Sequence, residues 1–182
     1  MNEKLSSFEK LLACHCAPTL KGKKAGSMFH LPLAQCIYYM DCITHFNSIY
    51  NKEGMFLRVM SGKKHRMTIY VYRLKLLLKI LENEEVSSFL SQYKYPGKII
   101  QQLDYLDEKI KEEEYPHEIG IFLGYPIWDV KGFIEKKKCV HCGMWRVYER
   151  EEESKKLFEE YENNKKELLY LLGKGYHLQQ IL

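Results

Sequence analysis

The sequence predicts an α+β fold: a single domain over residues 1–182, mostly helical, with a small antiparallel sheet that includes a β-hairpin at about 55–72. A length of 182 residues suits one domain and lets the chain bury a core without disulfide or metal support. Two segments rich in β-branched and aromatic residues, Met55–Met60 and Arg66–Tyr72, flank a short polar turn. The other segments have mainly helical periodicity and do not alternate with strands as in a βαβ fold.

The first helix is predicted to begin near Ser6, which forms a capping-box pattern with Glu9. It is expected to end near Cys16, because Ala17 precedes Pro18 and a residue before proline is disfavoured in the α region. A helix of about three turns is therefore expected at the start of the chain.

The next segments predict a basic turn at Lys21–Gly26, a strand at Ser27–Leu31 and a long helix. Pro32 suits the first position of that helix and Gly54 the position just past its end, so the helix is expected to run to about Lys52. Its core-facing stripe is expected to comprise Leu33, Cys36, Ile37, Met40, Ile43 and Tyr50.

After the hairpin the chain is predicted to be mainly helical. Helices are expected at about 74–82, 84–93 and 98–113, from Pro116, from Pro126 to Lys136 and from Glu151 to Leu172, with a strand at Gly143–Glu149. No run of apolar residues approaches the ~18 needed to span a bilayer, and the first residues lack a signal-peptide pattern. A cytoplasmic protein without membrane partners is expected.

Charge is divided unevenly along the chain. Residues 1–80 hold 13 Lys and Arg against four acids, a net charge of +9, whereas residues 81–182 hold 15 bases against 20 acids, a net charge of −5. A basic half favours an anionic partner, because clustered cations release counterions when they meet a phosphate backbone. The alternatives are an acidic protein, a membrane surface, or a basic solvated face with no partner.

Nucleic-acid contacts are predicted at the basic turn and at the hairpin. The hairpin tip, between two apolar strands, is expected to project cations into solvent, where they can reach phosphates. Tyr70 and Tyr72 are candidates for base stacking, although hairpin aromatics are more often part of a core. The predicted nucleic-acid-binding residues are Lys21, Lys23, Lys24, Arg58, Lys63, Lys64, Arg66 and Arg73.

Two cysteine-containing segments carry residue types that bind zinc. Cys14-His15-Cys16 and Cys139-Val140-His141-Cys142 form a zinc site only if the two loops meet. C-x-C is an uncommon partner for a C-x-x-C half-site, and isolated cysteines are often buried or reactive thiols. We predict no structural metal and no small-molecule cofactor.

Two histidines are candidates for metal-independent RNA cleavage, which needs a general base, a general acid and a cation at the phosphorane. His15 lies beside the basic turn and His117 at a predicted helix start. Positive charge from Lys21, Lys23 and Lys24 is expected to lower the pKa of His15. Each histidine could instead have a purely structural role, and whether the chain is an enzyme stays open.

Several segments together resemble an uncharacterised bacterial domain family. The longest are His15–Leu20 (HCAPTL), Pro116–Pro126 (PHEIG-x-FLGYP) and Cys142–Tyr148 (CG-x-W-x-VY), and the shorter ones are Lys24, Tyr72-Arg73, Phe89-Leu90, Tyr95-Pro96, Asp129-Val130 and Gly132-Phe133-Ile134. The resemblance spans nearly the whole chain and implies no agreed activity. In size and charge division the chain is also similar to small anti-CRISPR inhibitors, which act on type II effector nucleases and their guide RNA.

These similarities and the basic half together predict a protein directed at RNA or at a ribonucleoprotein in the bacterial host cytosol. The specific form is an anti-CRISPR inhibitor that acts on a type II CRISPR ribonucleoprotein through its guide RNA, by binding or by assisting cleavage. The alternative is a housekeeping cytosolic domain with a thiol or metal role, in which Cys16 and Cys142 matter and the lysines are solvated.

Overall fold

The computed structural model describes residues 2–62, 65–112 and 116–182. Lys63 and Lys64, predicted at the hairpin tip, lie outside the described residues. The chain is mostly helical with a small antiparallel sheet, so the α+β prediction is confirmed.

The helices and strands fall close to the predicted segments in most of the chain. Their bounds are α1 Asn2–Leu20, β1 Gly26–Pro32, α2 Leu33–Tyr38, α3 Met40–Tyr50, β2 Met55–Met60, β3 Arg66–Arg73, α4 Leu74–Leu81, α5 Glu84–Gln92, α6 Ile99–Glu112, α7 Ile119–Phe122, α8 Ile127–Ile134, β4 His141–Cys142, β5 Arg146–Val147, α9 Glu151–Gly173 and α10 Leu178–Ile181. A 3₁₀ turn at Asn51–Glu53 and Gly54 join α3 to β2.

The sheet has the order β1-β3-β2, and both of its pairings are antiparallel. Side chains of the central strand β3 alternate between two cores: Ile69 and Val71 pack with α1 and α3, whereas Tyr70 packs with α4 to α8. All three are fully buried. Both faces of the sheet are therefore covered, as the apolar character of both faces of this strand indicates.

Helix α1 does not end near Cys16, so that prediction is wrong: it continues through Pro18 to Leu20. Proline costs a helix about 3 kcal/mol. Tertiary contacts offset that cost. Ala17, Thr19 and Leu20 are fully buried, and Arg73 donates from Nε to the carbonyl oxygen of Thr19 (2.9 Å) and from Nη2 to that of Leu20.

The predicted helix over 32–52 is divided into α2 and α3 at Tyr39, whose φ of −96° and ψ of 7° leave the helical region. The Tyr39 ring is buried against Phe8, with centroids 5.1 Å apart. The break changes which side chains face the core. Of the predicted stripe, Cys36, Ile43 and Tyr50 are buried, whereas Leu33, Ile37 and Met40 are exposed.

The predicted strand over 143–149 is instead a hairpin of the two short strands β4 and β5. Asp129 of α8, 2% exposed, fastens this hairpin by accepting from Trp145 Nε1 (2.8 Å) and from the backbone N–H groups of Tyr148 (2.7 Å) and Glu149 (3.4 Å). A carboxylate is needed here because all three partners are donors.

Candidate functional site

The turn after α1 is held rigidly in place. The N–H groups of Lys23 and Lys24 donate to the carbonyl oxygen of Pro18 at 2.7 and 3.2 Å, and the Tyr161 hydroxyl of α9 donates to the carbonyl oxygen of Lys23 at 3.2 Å. These bonds direct the Lys24 side chain inward, where its ammonium lies 5.0 Å from the centroid of the Tyr125 ring.

Lys24 is a cation without a counter-ion. Over residues 2–62, 65–112 and 116–182, the structure gives its Nζ no ion pair and no hydrogen bond; its polar contact is the face of Tyr125. Burial lowers the pKa of Lys24 from 10.5 to about 8, so the group still carries its proton at neutral pH. Burying an unpaired charge destabilises a protein, and natural chains keep such groups mainly at functional sites.

Lys24 lies between two openings, which we call the His15 cavity and the Lys79 groove. Both are lined by Lys24, Tyr125 and Tyr161. The His15 cavity has a volume of about 270 Å³ and also contains His15, Lys165 and Glu162. The Lys79 groove has a volume of about 490 Å³ and also contains Lys23, Lys79, Glu85 and Trp128. Together they form the Lys24 cleft.

Trp128 contributes a second donor without a partner. Its indole Nε1–H is buried and donates a hydrogen bond to no protein acceptor within the described part of the chain. The ring is covered by Arg150, whose guanidinium carbon lies 4.2 Å from the ring centroid. Two groups that only donate, one charged and one neutral, thus line the same groove without acceptors.

His15 is exposed at the other side of Lys24 and stacks on Phe29, with ring centroids 4.8 Å apart and planes 9° apart. Its pKa is lowered, first by burial and then by the charge of Lys165. The direction agrees with the prediction, but the cation responsible comes from α9 rather than from the basic turn. A lowered pKa leaves the imidazole neutral at pH 7, where it can accept a hydrogen bond.

His117 lines a separate cavity of about 300 Å³, which we call the His117 cavity. Its ring meets Phe133 edge-on at 5.0 Å, and Arg146 lies 5.7 Å from the centroid of the same ring. The His15 and His117 cavities share Tyr125 and Met144 as a common wall. The structure therefore places the two predicted catalytic histidines in neighbouring cavities and not in one.

Tyr125 forms that wall because its surroundings fix it on two sides. One contact is a stack with Trp145, with centroids 4.7 Å apart, and the other is the ammonium of Lys24. Gly124 precedes it with a φ of 76°, a conformation that favours glycine, and a Cβ at this position would lie 3.2 Å from the Cβ of Ala25. The left-handed turn brings Tyr125 beside the basic turn.

Three of the other predicted nucleic-acid-binding residues already form ion pairs. Lys21 binds Glu167 (3.1 Å), Lys23 binds Glu160 (2.9 Å) and Arg58 binds Asp104 (2.5 Å). These are partly or fully exposed pairs, which a phosphate can displace at little cost.

The other predicted residues of the hairpin strands lie in different environments. Arg73 is committed to the carbonyl oxygens at the end of α1, whereas Arg66 is exposed. The prediction that Tyr70 stacks on a base is wrong. Its ring is fully buried, and its hydroxyl donates to the carbonyl oxygen of Phe122 at 2.7 Å. Tyr72 is sandwiched between Phe56 and Tyr70.

The sequence of this chain matches one family of proteins of unknown function. A family described as "Protein of unknown function (DUF3793)" matches residues 12–182. The chain belongs to this family. The resemblance to an uncharacterised domain family is thus confirmed. Neither the curated proteins nor the solved structures contain a significant match.

Residues from the HCAPTL, PHEIG-x-FLGYP and CG-x-W-x-VY segments of this chain line the Lys24 cleft. The HCAPTL segment supplies His15 and is followed by the turn that carries Lys24, the PHEIG-x-FLGYP segment supplies Tyr125, and the CG-x-W-x-VY segment supplies Met144. Segments more than 100 residues apart in the chain therefore build one site.

The cysteines do not assemble a four-ligand site. Cys16 is fully buried, which raises the pKa of its thiol to about 12, while Cys14 is exposed. Cys139 Sγ and Cys142 Sγ lie 3.7 Å apart. Among the residues described, no three His, Cys, Asp or Glu side chains are grouped closely enough to hold a metal ion.

Sequence reasoning missed Tyr125, Tyr161, Lys165 and Trp128 as site residues. Tyr125 had a usable signal, because it lies in the PHEIG-x-FLGYP segment. Nothing in the sequence marks Tyr161 or Lys165, which are two members of the regular helix α9. None of the described helices is both long and apolar enough to cross a membrane.

Proposed function

We propose that this DUF3793 protein binds RNA at the Lys24 cleft, with a backbone phosphate paired with the Lys24 ammonium. The observation that carries the proposal is the unpaired, largely buried cation on the Tyr125 ring. Phosphate oxygens supply the acceptors that Lys24 and Trp128 Nε1 lack.

The surroundings favour RNA over a small inorganic anion. Lys23, Lys79 and Lys165 line the cleft and can follow a chain of phosphates. The exposed ring of His15, already stacked on Phe29, extends an aromatic surface on which an unpaired base can stack. A single-stranded segment that passes from the Lys79 groove to the His15 cavity would use all of these groups.

Within this proposal the partner is an RNA or ribonucleoprotein of the bacterial cytosol. The specific candidate is the guide RNA of a type II CRISPR effector, whose activity the protein would inhibit by occupying or helping to cleave that RNA. The separation of His15 and His117 favours binding over cleavage, because an acid and a base must meet at one phosphate.

Fluorescence anisotropy with a labelled single-stranded RNA tests the proposal. The observed binding constant should fall by about 0.7 log units per log unit of salt for each phosphate neutralised. Guide RNA alone and the assembled effector complex, added as competitors, identify the partner. Absence of binding at low salt for every RNA offered would refute the function.

The His15→Gln variant separates a catalytic role from a stacking role. If His15 is a general base, cleavage of the bound RNA should fall ~10²-fold or more with affinity nearly unchanged. If it only supports stacking, affinity should fall a few-fold and no cleavage should be detected with the wild-type protein. Cleavage is measured by gel electrophoresis of end-labelled RNA, and affinity is measured by anisotropy on the same samples. If the variant cleaves RNA at the wild-type rate, His15 has no role in catalysis.

The thiol-linked alternative keeps one supporting observation, the 3.7 Å approach of Cys139 Sγ and Cys142 Sγ. The buried Cys16 thiol, with its pKa raised to about 12, is unsuited to nucleophilic or ligand chemistry at neutral pH. The double variant Cys139→Ser, Cys142→Ser distinguishes the two functions, because RNA affinity should survive it and a thiol or metal role should not.

A further inference from the structure

Another cavity lies away from the Lys24 cleft and the His117 cavity, where α1, α3 and α10 meet. Its volume is about 380 Å³. Most of its wall is apolar, and its polar groups come from a few side chains on the three helices. The lining residues that matter here are Phe8, Leu12, Phe46, Ile49, Tyr50 and His177.

Tyr50 is one of the residues that line this cavity. The residue is 4% exposed, its ring packs on Phe46 with centroids 4.6 Å apart, and its hydroxyl has no hydrogen-bond partner in the described ranges. Burial, followed by the charges of Glu9 and Glu53, raises the pKa of Tyr50 to about 12. The group is therefore a neutral donor, and a buried donor without an acceptor destabilises the fold.

Glu9 and His177 provide the other polar groups of the cavity. Glu9, 6% exposed, accepts from His177 Nδ1 at 2.8 Å and from the backbone N–H of Leu178 at 3.0 Å. Because a carboxylate oxygen accepts hydrogen bonds, Nδ1 of His177 is the donor in this contact. The negative charge of Glu9 disfavours an anionic ligand.

We propose that this cavity binds a small, neutral, mainly apolar molecule with a carbonyl or comparable oxygen that accepts a hydrogen bond from the Tyr50 hydroxyl. Its apolar body would lie against Phe8, Leu12 and Phe46. The site is independent of RNA binding, and it satisfies the buried hydroxyl that the fold leaves without a partner. Ligand pockets have this composition, an apolar wall with a few placed polar groups.

Two probes of nearly the same shape test the inference: acetophenone, which has a carbonyl acceptor, and ethylbenzene, which has none. Ligand-observed NMR titrations with the wild-type protein should show acetophenone binding about 3–10-fold more tightly, as one net hydrogen bond implies. In the Tyr50→Phe variant the two probes should bind equally. Equal affinity of both probes for wild type, or no binding of either at millimolar concentration, would overturn the inference.

Folding of the variant is itself informative. Tyr50→Phe should leave the melting temperature unchanged or higher, because it removes a hydroxyl that bonds to nothing. A second variant, Ile49→Trp, adds bulk to the cavity wall and should weaken both probes together. RNA affinity should be unchanged in both variants, which keeps the outcome separate from that of the Lys24 cleft.

Discussion

Replacing Lys24 with methionine should lower RNA affinity by about 10- to 100-fold, the largest effect expected of a single substitution on binding. A charge-assisted hydrogen bond contributes about 1.5–3 kcal/mol, and no other ammonium lies on the Tyr125 ring within the described residues. Stability should change in the opposite direction: the melting temperature should hold or rise, because a buried unpaired charge is replaced by an apolar chain of similar length.

The matched control is Lys23→Met. Lys23 is adjacent in sequence but exposed, and it is paired with Glu160. An exposed pair contributes about 0–1 kcal/mol, so the control should lose no more than about fivefold in affinity. Anisotropy titrations compare the two variants, and equal losses would mean that the buried position of Lys24 has no special role.

Replacing Asp129 with alanine should destabilise the protein by about 3–5 kcal/mol. The change removes the acceptor of Trp145 Nε1 and of the Tyr148 N–H, and it leaves these buried donors unsatisfied. Urea denaturation gives the free energy of unfolding directly.

Asp104→Ala is the control for this substitution, because the Asp104–Arg58 pair is exposed and its loss should cost about 1 kcal/mol or less. Asp129→Ala should also weaken RNA binding in the fraction that folds, since Trp145 supports the ring of Tyr125. A free energy of unfolding within 1 kcal/mol of wild type would contradict the structural role of Asp129.

Local patterns predicted the parts of the fold that local physics controls. The hairpin strands β2 and β3 and the amphipathic helix α6 follow from alternation, turn residues and helical spacing. Helix α1 differs because its cost at Pro18 is offset by Arg73, 55 residues later in the chain. The break at Tyr39 likewise depends on a contact with Phe8. Such compensation between distant segments has no local sequence signal.

The sequence likewise predicts only part of the candidate site. The sequence identifies Lys24 as one of eight basic candidates, but it cannot tell which of them is buried or already paired. That distinction needs the positions of Glu160 and Glu167 on α9 and of Asp104 on α6. Charge composition predicted an anionic partner, whereas only the tertiary structure shows that Lys24, among the candidates it describes, is a largely buried cation on an aromatic ring.

The pH dependence of RNA affinity tests the role of Lys24 most directly. Free Lys24 has a pKa of about 8, and a bound phosphate must raise it, so binding takes up a proton above pH 8. Affinity for an oligoadenylate should begin to fall as the pH approaches 8 and should then fall more steeply, approaching tenfold per pH unit. The neighbouring Cys16 and Tyr161, each with a pKa near 12, do not titrate in this window, and His15, with its lowered pKa, is already neutral. Lys24→Arg, which stays charged, should remove the dependence. A wild-type profile that is flat from pH 7 to 9.5, or one that Lys24→Arg leaves unchanged, would contradict a phosphate bound to Lys24.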